Sequence, residues 1–121
     1  MAIKWYVVSA SVLLCCGAAR SQQIKLLLDN DKVRVTEYTA KPHEGVCGAG
    51  MHSHPEHLTV ILQGAKVKVT TPDGKSVERQ PGNNYVFWSD SSTHSVENVD
   101  TTIRKSLIIE LKESGTESKK K

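Results

Sequence analysis

Three of the five histidines fall within six residues, in His52-Ser53-His54-Pro55-Glu56-His57, and a fourth stands far downstream in Thr93-His94-Ser95-Val96-Glu97-Asn98. In a β-strand, side chains two apart point to the same face, so His52 and His54 project side by side, about 7 Å apart along the strand before their rings converge. Imidazole nitrogen is a ligand for Zn, Cu, Fe and Ni. Two imidazoles aimed at one point, joined by a third from a neighbouring strand, make a metal site with open coordination positions. Glu56 is the nearest carboxylate in sequence that can serve as a general base.

Such a site requires strands to position it, and the sequence supplies them. Val33 and Val35 alternate with Lys32 and Arg34, and Leu58 to Leu62 is an apolar, β-branched run. Lys66-Val67-Lys68-Val69-Thr70 alternates strictly and leads into the tight-turn signal Pro72-Asp73-Gly74. An extended pattern resumes at Ser76-Val77-Glu78. Tyr85-Val86-Phe87-Trp88 has the composition of a buried strand, and Ser95 to Val99 and Ile103 to Leu111 complete the set. Short strands separated by Gly, Pro and Asn, with no helical periodicity, indicate an all-β sandwich or barrel. Alternation puts His57, Thr59 and Ile61 on one face and Leu58, Val60 and Leu62 on the other.

The arrangement resembles the cupin superfamily, whose members are small β-barrels of the jelly-roll (double-stranded β-helix) type. The family's first motif is Gly, five residues, His-x-His, three or four residues, Glu, six residues, Gly. His52-x-His54 supplies its histidine pair and Gly64 its closing glycine, and across six intervening residues from Gly64 stands His57, where the family has glutamate. The gap from His54 to His57 is one residue shorter than the pattern, and Gly45 lies one residue before the leading-glycine position. His94 and Asn98 match the ending of the second motif, whose inner Pro and Gly are replaced by Ser89 and Ser91. The resemblance covers residues 30 to 112. It implies a divalent metal (Fe, Mn, Ni, Cu or Zn) held inside the barrel by His52, His54 and His94. The fourth ligand is His57, or Glu56 if the strand begins one residue later. The family also implies a homodimer, for which Ile24-Lys25-Leu26-Leu27-Leu28 is the candidate edge strand.

The ends read differently from this body. Lys4, the uncharged stretch from Trp5 to Ala19 and the small residues around Gly17-Ala18-Ala19 describe a secretory signal peptide over residues 1–21, too short to span a bilayer as a helix. A cupin barrel domain over 22–112 and a polar tail over 113–121 follow, and the destination is secretion or the periplasm, without stable membrane insertion. Removing Lys4 and Arg20 leaves 14 Lys+Arg against 13 Asp+Glu, a near-neutral body that offers no clustered basic face for nucleic acid. Cys47 is then the only thiol, which excludes an intramolecular disulfide. In its Gly-rich loop it reads as a small, semi-buried side chain. His43 reads as a solvated loop residue, Asn98 as a structural hydrogen-bonding group, and Phe87 and Trp88 as barrel core or dimer interface.

Two functions fit these residues. One is a metalloenzyme acting on a small molecule, an oxygenase (a metal-dependent dioxygenase, for instance) or an isomerase-like enzyme. The other is a non-enzymatic module binding metal or a small anion such as a sugar acid. A deep barrel mouth lined by apolar residues and a carboxylate favours the enzyme, and a closed, water-free site favours a structural metal.

Overall fold

The computed structural model describes residues 23–113; residues 1–22, with the expected signal segment, and residues 114–121 lie outside that range. Nine strands and no helix make up the described residues: β1 (Gln23–Asp29), β2 (Val33–Ala40), β3 (His52–His54), β4 (His57–Gln63), β5 (Val67–Thr70), β6 (Ser76–Arg79), β7 (Val86–Ser89), β8 (Ser92–Asn98) and β9 (Arg104–Leu111). They form two antiparallel sheets, of order β1-β2-β9-β4-β7 and β3-β8-β5-β6. The all-β expectation holds, and each sequence pattern lands on a strand. The Asp73-Gly74 turn closes the β5–β6 hairpin, with Gly74 at φ +82° and Thr71 N donating to Lys75 O at 2.9 Å.

The sheets enclose a small apolar core of Ala40, Val46, Cys47, Val67, Val96 and Ile108, flanked by Tyr38 and Val69. The inner face is unusually polar. His57, Thr59 and Ile61 are buried on β4, whereas Leu58 and Val60 are half-buried and Leu62 is exposed on its outer face. On β9 the buried positions are Arg104, Ser106 and Ile108. Polar side chains inside and leucines outside invert the usual pattern of a half-buried strand, as in a barrel whose interior is a site.

One packing expectation is corrected. Tyr85, Val86 and Trp88 are half exposed, because β7 is an edge strand paired only with β4 and its outer flank has no neighbour among the described residues. Aromatic, β-branched composition marks a strand without specifying its place in the sheet.

Two residues lock the frame. Asn98 is fully buried; its Nδ2 donates to Ala40 O (3.0 Å) and Thr102 O (2.8 Å), and its Oδ1 accepts from Asp100 N (3.0 Å). That is the structural role its sequence position implies. At Gly64 a Cβ would stand 2.3 Å from Pro81 O, so only glycine allows the backbone after β4 to pass this close to the segment before β7.

Candidate metal centre

One strand pair places three of the histidines. His52 and His54 share a face of β3, and β8 sets His94 directly opposite His52, the closest side-chain relation that antiparallel pairing offers. Ring centroids are 4.8 Å apart for His52 and His54, 5.1 Å for His52 and His94, and 5.6 Å for His54 and His94. His57 approaches from the other sheet, at the start of β4, with its ring 5.1 Å from that of His54. The four histidines singled out in the sequence therefore converge, while His43 is exposed in its loop. Glu56 is also exposed and stands outside the group.

The structure adds to the group a residue that the sequence reads as a small, semi-buried side chain. The segment before β3 runs beside β8, with His43 N donating to Asn98 O (2.8 Å), Asn98 N to Glu44 O (2.9 Å) and Val46 N to Val96 O (2.9 Å). These bonds deliver Cys47 to the inner face, where its Sγ lies 3.1 Å from His52 Nε2 and 3.6 Å from His94 Nε2. It is 8 % exposed, and from its place at the edge of the apolar core its sulfur also faces two imidazoles. Gly48 makes this approach possible: a Cβ there would meet the His52 ring at 2.8 Å, and its φ of +155° disfavours other residues. Donor atoms of Cys47, His52, His54 and His94 all lie within 4.8 Å of one another. Around a tetrahedral ion, donors stand roughly 3.3–3.8 Å apart. In this grouping Cys47 takes the fourth place, which the sequence gives to His57 or Glu56.

The other ring nitrogens have partners outside the group. His52 Nδ1–H donates to Gly50 O and His57 Nδ1–H to Pro55 O, both at 2.8 Å. His54 Nδ1 lies 3.5 Å from Glu110 Oε1, and His94 Nδ1 lies 3.5 Å from Ser92 Oγ. A carbonyl oxygen only accepts, so in His52 and His57 the proton sits on Nδ1 and the lone pair on Nε2. His54 Nε2 is buried with no hydrogen-bond partner. A buried polar atom left in this state is destabilising unless something binds it. Oxygen acceptors fixing Nδ1 while Nε2 faces a shared point is how metal-binding histidines are oriented. The residues present fit a divalent transition ion.

Electrostatics agree with that fit. Burial, and then the charges of His52, His54 and His57, push His94 down to about 4. Burial also lowers His54, followed by His52, with Glu110 acting in the opposite direction. Both rings are neutral at pH 7, with lone pairs free for a cation. Burial pushes the Cys47 thiol up to about 12, against a smaller opposing pull from Arg104. With no cation it is therefore an S–H that donates to His52 Nε2; a bound divalent charge favours the thiolate.

Glu110 was not singled out from the sequence, although the alternation of β9 puts it on the face of Arg104, Ser106 and Ile108. β9 also sets it opposite His57. A cavity of about 840 Å³ opens beside the donors, lined by Cys47, His57 and His94 and by apolar side chains that include Val67, Val96 and Ile108.

No family model and no curated protein sequence matches the chain. Solved structures do. A cupin domain from Bordetella pertussis is 26 % identical, with a TM-score of 0.68 over 75 % of this chain and 93 % of that one. An RmlC-like cupin family protein with a double-stranded β-helix fold from Methanocaldococcus jannaschii is 11 % identical, with a TM-score of 0.61 over 93 % of both chains. The polyketide cyclase RemF from Streptomyces resistomycificus is 20 % identical, with a TM-score of 0.58 over 76 % of this chain and 66 % of that one.

Proposed function

We propose that this chain, which by its fold is a member of the cupin superfamily, binds one divalent transition ion through Cys47, His52, His54 and His94 and uses it on a small molecule. The observation that carries this reading is the buried, unpartnered Nε2 of His54 among three further donor atoms. When bound, the ion would supply a Lewis acid that attracts anionic oxygen.

The chain's own residues do the rest. Gly50 O holds the His52 tautomer, and Glu110 and Ser92 orient His54 and His94. His57, anchored on Pro55 O, lies beside His54 and faces the cavity, placed to contact a ligand there. Glu110, not Glu56, is the carboxylate against the site, and it acts through His54 as a positioning residue. Val46, Val67 and Val96 present apolar surface that limits water around a ligand.

An open cavity of this size, within the range typical of ligand pockets, favours a small-molecule enzyme over a closed structural metal. Oxygenase or isomerase-like chemistry is the first reading; metal or small-anion binding without turnover is the second. We further place the mature protein outside the cytoplasm, after removal of residues 1–21. We also assign β1 as the homodimer strand: all seven of its residues are exposed, and Ile24, Leu26, Leu27 and Leu28 present an apolar sheet edge.

The test is elemental analysis of protein purified from its own compartment without chelator or immobilised nickel. About one Fe, Mn, Ni or Cu per chain supports oxygen chemistry, and stoichiometric zinc points to Lewis-acid chemistry or binding. Folded protein that carries no metal and takes up none would sink the proposal.

A further inference from the structure

The start of β9 holds a charge that forms no ion pair among the described residues. Arg104 is 5 % exposed and lines the same cavity as Cys47, His57 and His94. Its Nε is buried without a hydrogen-bond partner, and its hydrogen bond is a long one of 3.5 Å from Nη1 to Ala65 O. Among the described residues no carboxylate forms an ion pair with it. Glu44 accepts from Lys41 N, Glu110 faces His54, and Glu78, which lines the cavity, is exposed.

A guanidinium carries five donors and a charge that cannot be shed, so burying it unpaired is among the costliest arrangements a fold can hold. Cores do not keep such a group for packing alone, because an apolar side chain of similar length fills the space without the penalty. Its planar fork matches a carboxylate in two parallel hydrogen bonds. The wall beyond it is apolar, formed by Val67, Val96 and Ile108. Burial lowers the Arg104 pKa, as expected for a cation with no fixed counter-ion.

We propose that the cavity binds a small organic acid, its carboxylate paired with the Arg104 guanidinium and its apolar body against Val67, Val96 and Ile108. Arg104 and Ile108, with Ser106 between them on the inner face, stand about 13 Å apart along the strand, leaving room for the acid between the guanidinium and the histidines. The inference rests on the functional reading above in placing the ligand beside the metal donors, but its anion-binding group is separate from them.

Benzoate is the probe, with benzamide as its neutral isostere and inorganic phosphate as a different anion. Each is titrated calorimetrically into the full chain, once stripped with chelator and once loaded with zinc. Benzoate is expected to bind both forms, with benzamide at least about tenfold weaker, the discrimination that a charge-assisted pair provides. Arg104→Met should lose benzoate by a factor of about 10 to 100 while its Tm stays equal or rises, which a merely structural arginine would not allow. If Arg104→Met does not fold, Arg104→Lys tests the same point, with weakened benzoate binding expected from its loss of the bidentate fork. Equal binding of benzoate and benzamide would overturn the proposal. So would undiminished benzoate binding in either variant, or phosphate binding ahead of benzoate. Benzoate binding to a protein that refuses zinc supports this inference and removes only the metal reading.

Discussion

Replacing His54 with leucine should stabilise the metal-free protein and destabilise the metal-bound one relative to wild type. The His54 side chain is 7 % exposed, and its Nε2 has no partner. Leaving such an atom desolvated costs about 1–3 kcal/mol. Leucine removes that penalty and fills a similar volume. It also loses the 3.5 Å contact with the partly exposed Glu110, a pair that solvent screening holds to about 0–1 kcal/mol. From the middle of both ranges the net gain is about 1–2 kcal/mol, or a Tm rise of roughly 4–16 °C for a domain of this size. Zinc at a hundred times its dissociation constant adds about 2.7 kcal/mol to wild type. His54→Leu, short of one donor, gains little at the same concentration, so the order of the two proteins reverses. Thermal unfolding followed by circular dichroism, first in chelator and then in zinc, reads both halves. A variant less stable than wild type in chelator, or equal zinc stabilisation of the two, would refute the reasoning.

Further outcomes follow from the same structure. Asn98→Ala should lower stability by about 2–4 kcal/mol, because Ala40 O, Thr102 O and Asp100 N lose their side-chain partner in a fully buried setting; the urea midpoint should fall with the slope unchanged. The metal-free protein should lose stability as pH falls from 6.5 toward 4. The unfolded chain protonates its histidines near 6.5, whereas folded His94 resists until about 4 and His54 is lowered in the same direction. Above 6.5 neither group contributes, and Asp29, Asp73 and Asp100, lowered below 3.8, act only at more acidic pH. Urea midpoints that stay flat across that window, in chelator, would contradict the burial of these rings. Cys47→Ser should still bind one cobalt ion per chain, about tenfold or more weakly, and should lack the near-ultraviolet sulfur-to-cobalt absorption of wild type. Identical spectra would remove Cys47 from the ligand set.

The sequence shows the strands clearly because alternation is local, and it shows His52, His54 and His94 because a two-residue spacing and a cross-strand partner are strand geometry. Cys47 reads from sequence as a small, semi-buried side chain for a physical reason. It sits in a glycine-rich loop with no period, and the hydrogen bonds from Val46 and Asn98 that bring it inward are contacts between distant segments. Glu110 and Arg104 lie on a strand that was recognised, but local alternation cannot say which face of β9 is interior when the interior itself is polar. The same inversion leaves Leu58 and Val60 outside and His57 and Thr59 inside. Trp88 looked buried because its composition is that of a strand, while its exposure follows from an edge position that only sheet order decides.

The central claim is that Cys47, His52, His54 and His94 form one divalent metal site, and a cobalt(II) titration of chelator-stripped protein by absorption spectroscopy tests it most directly. One equivalent per chain is expected, with tetrahedral ligand-field bands and a sulfur-to-cobalt band in wild type, and with stoichiometric binding lost in His52→Ala and His94→Ala. Absence of saturable binding in folded wild type, or unchanged binding in both histidine variants, would contradict it.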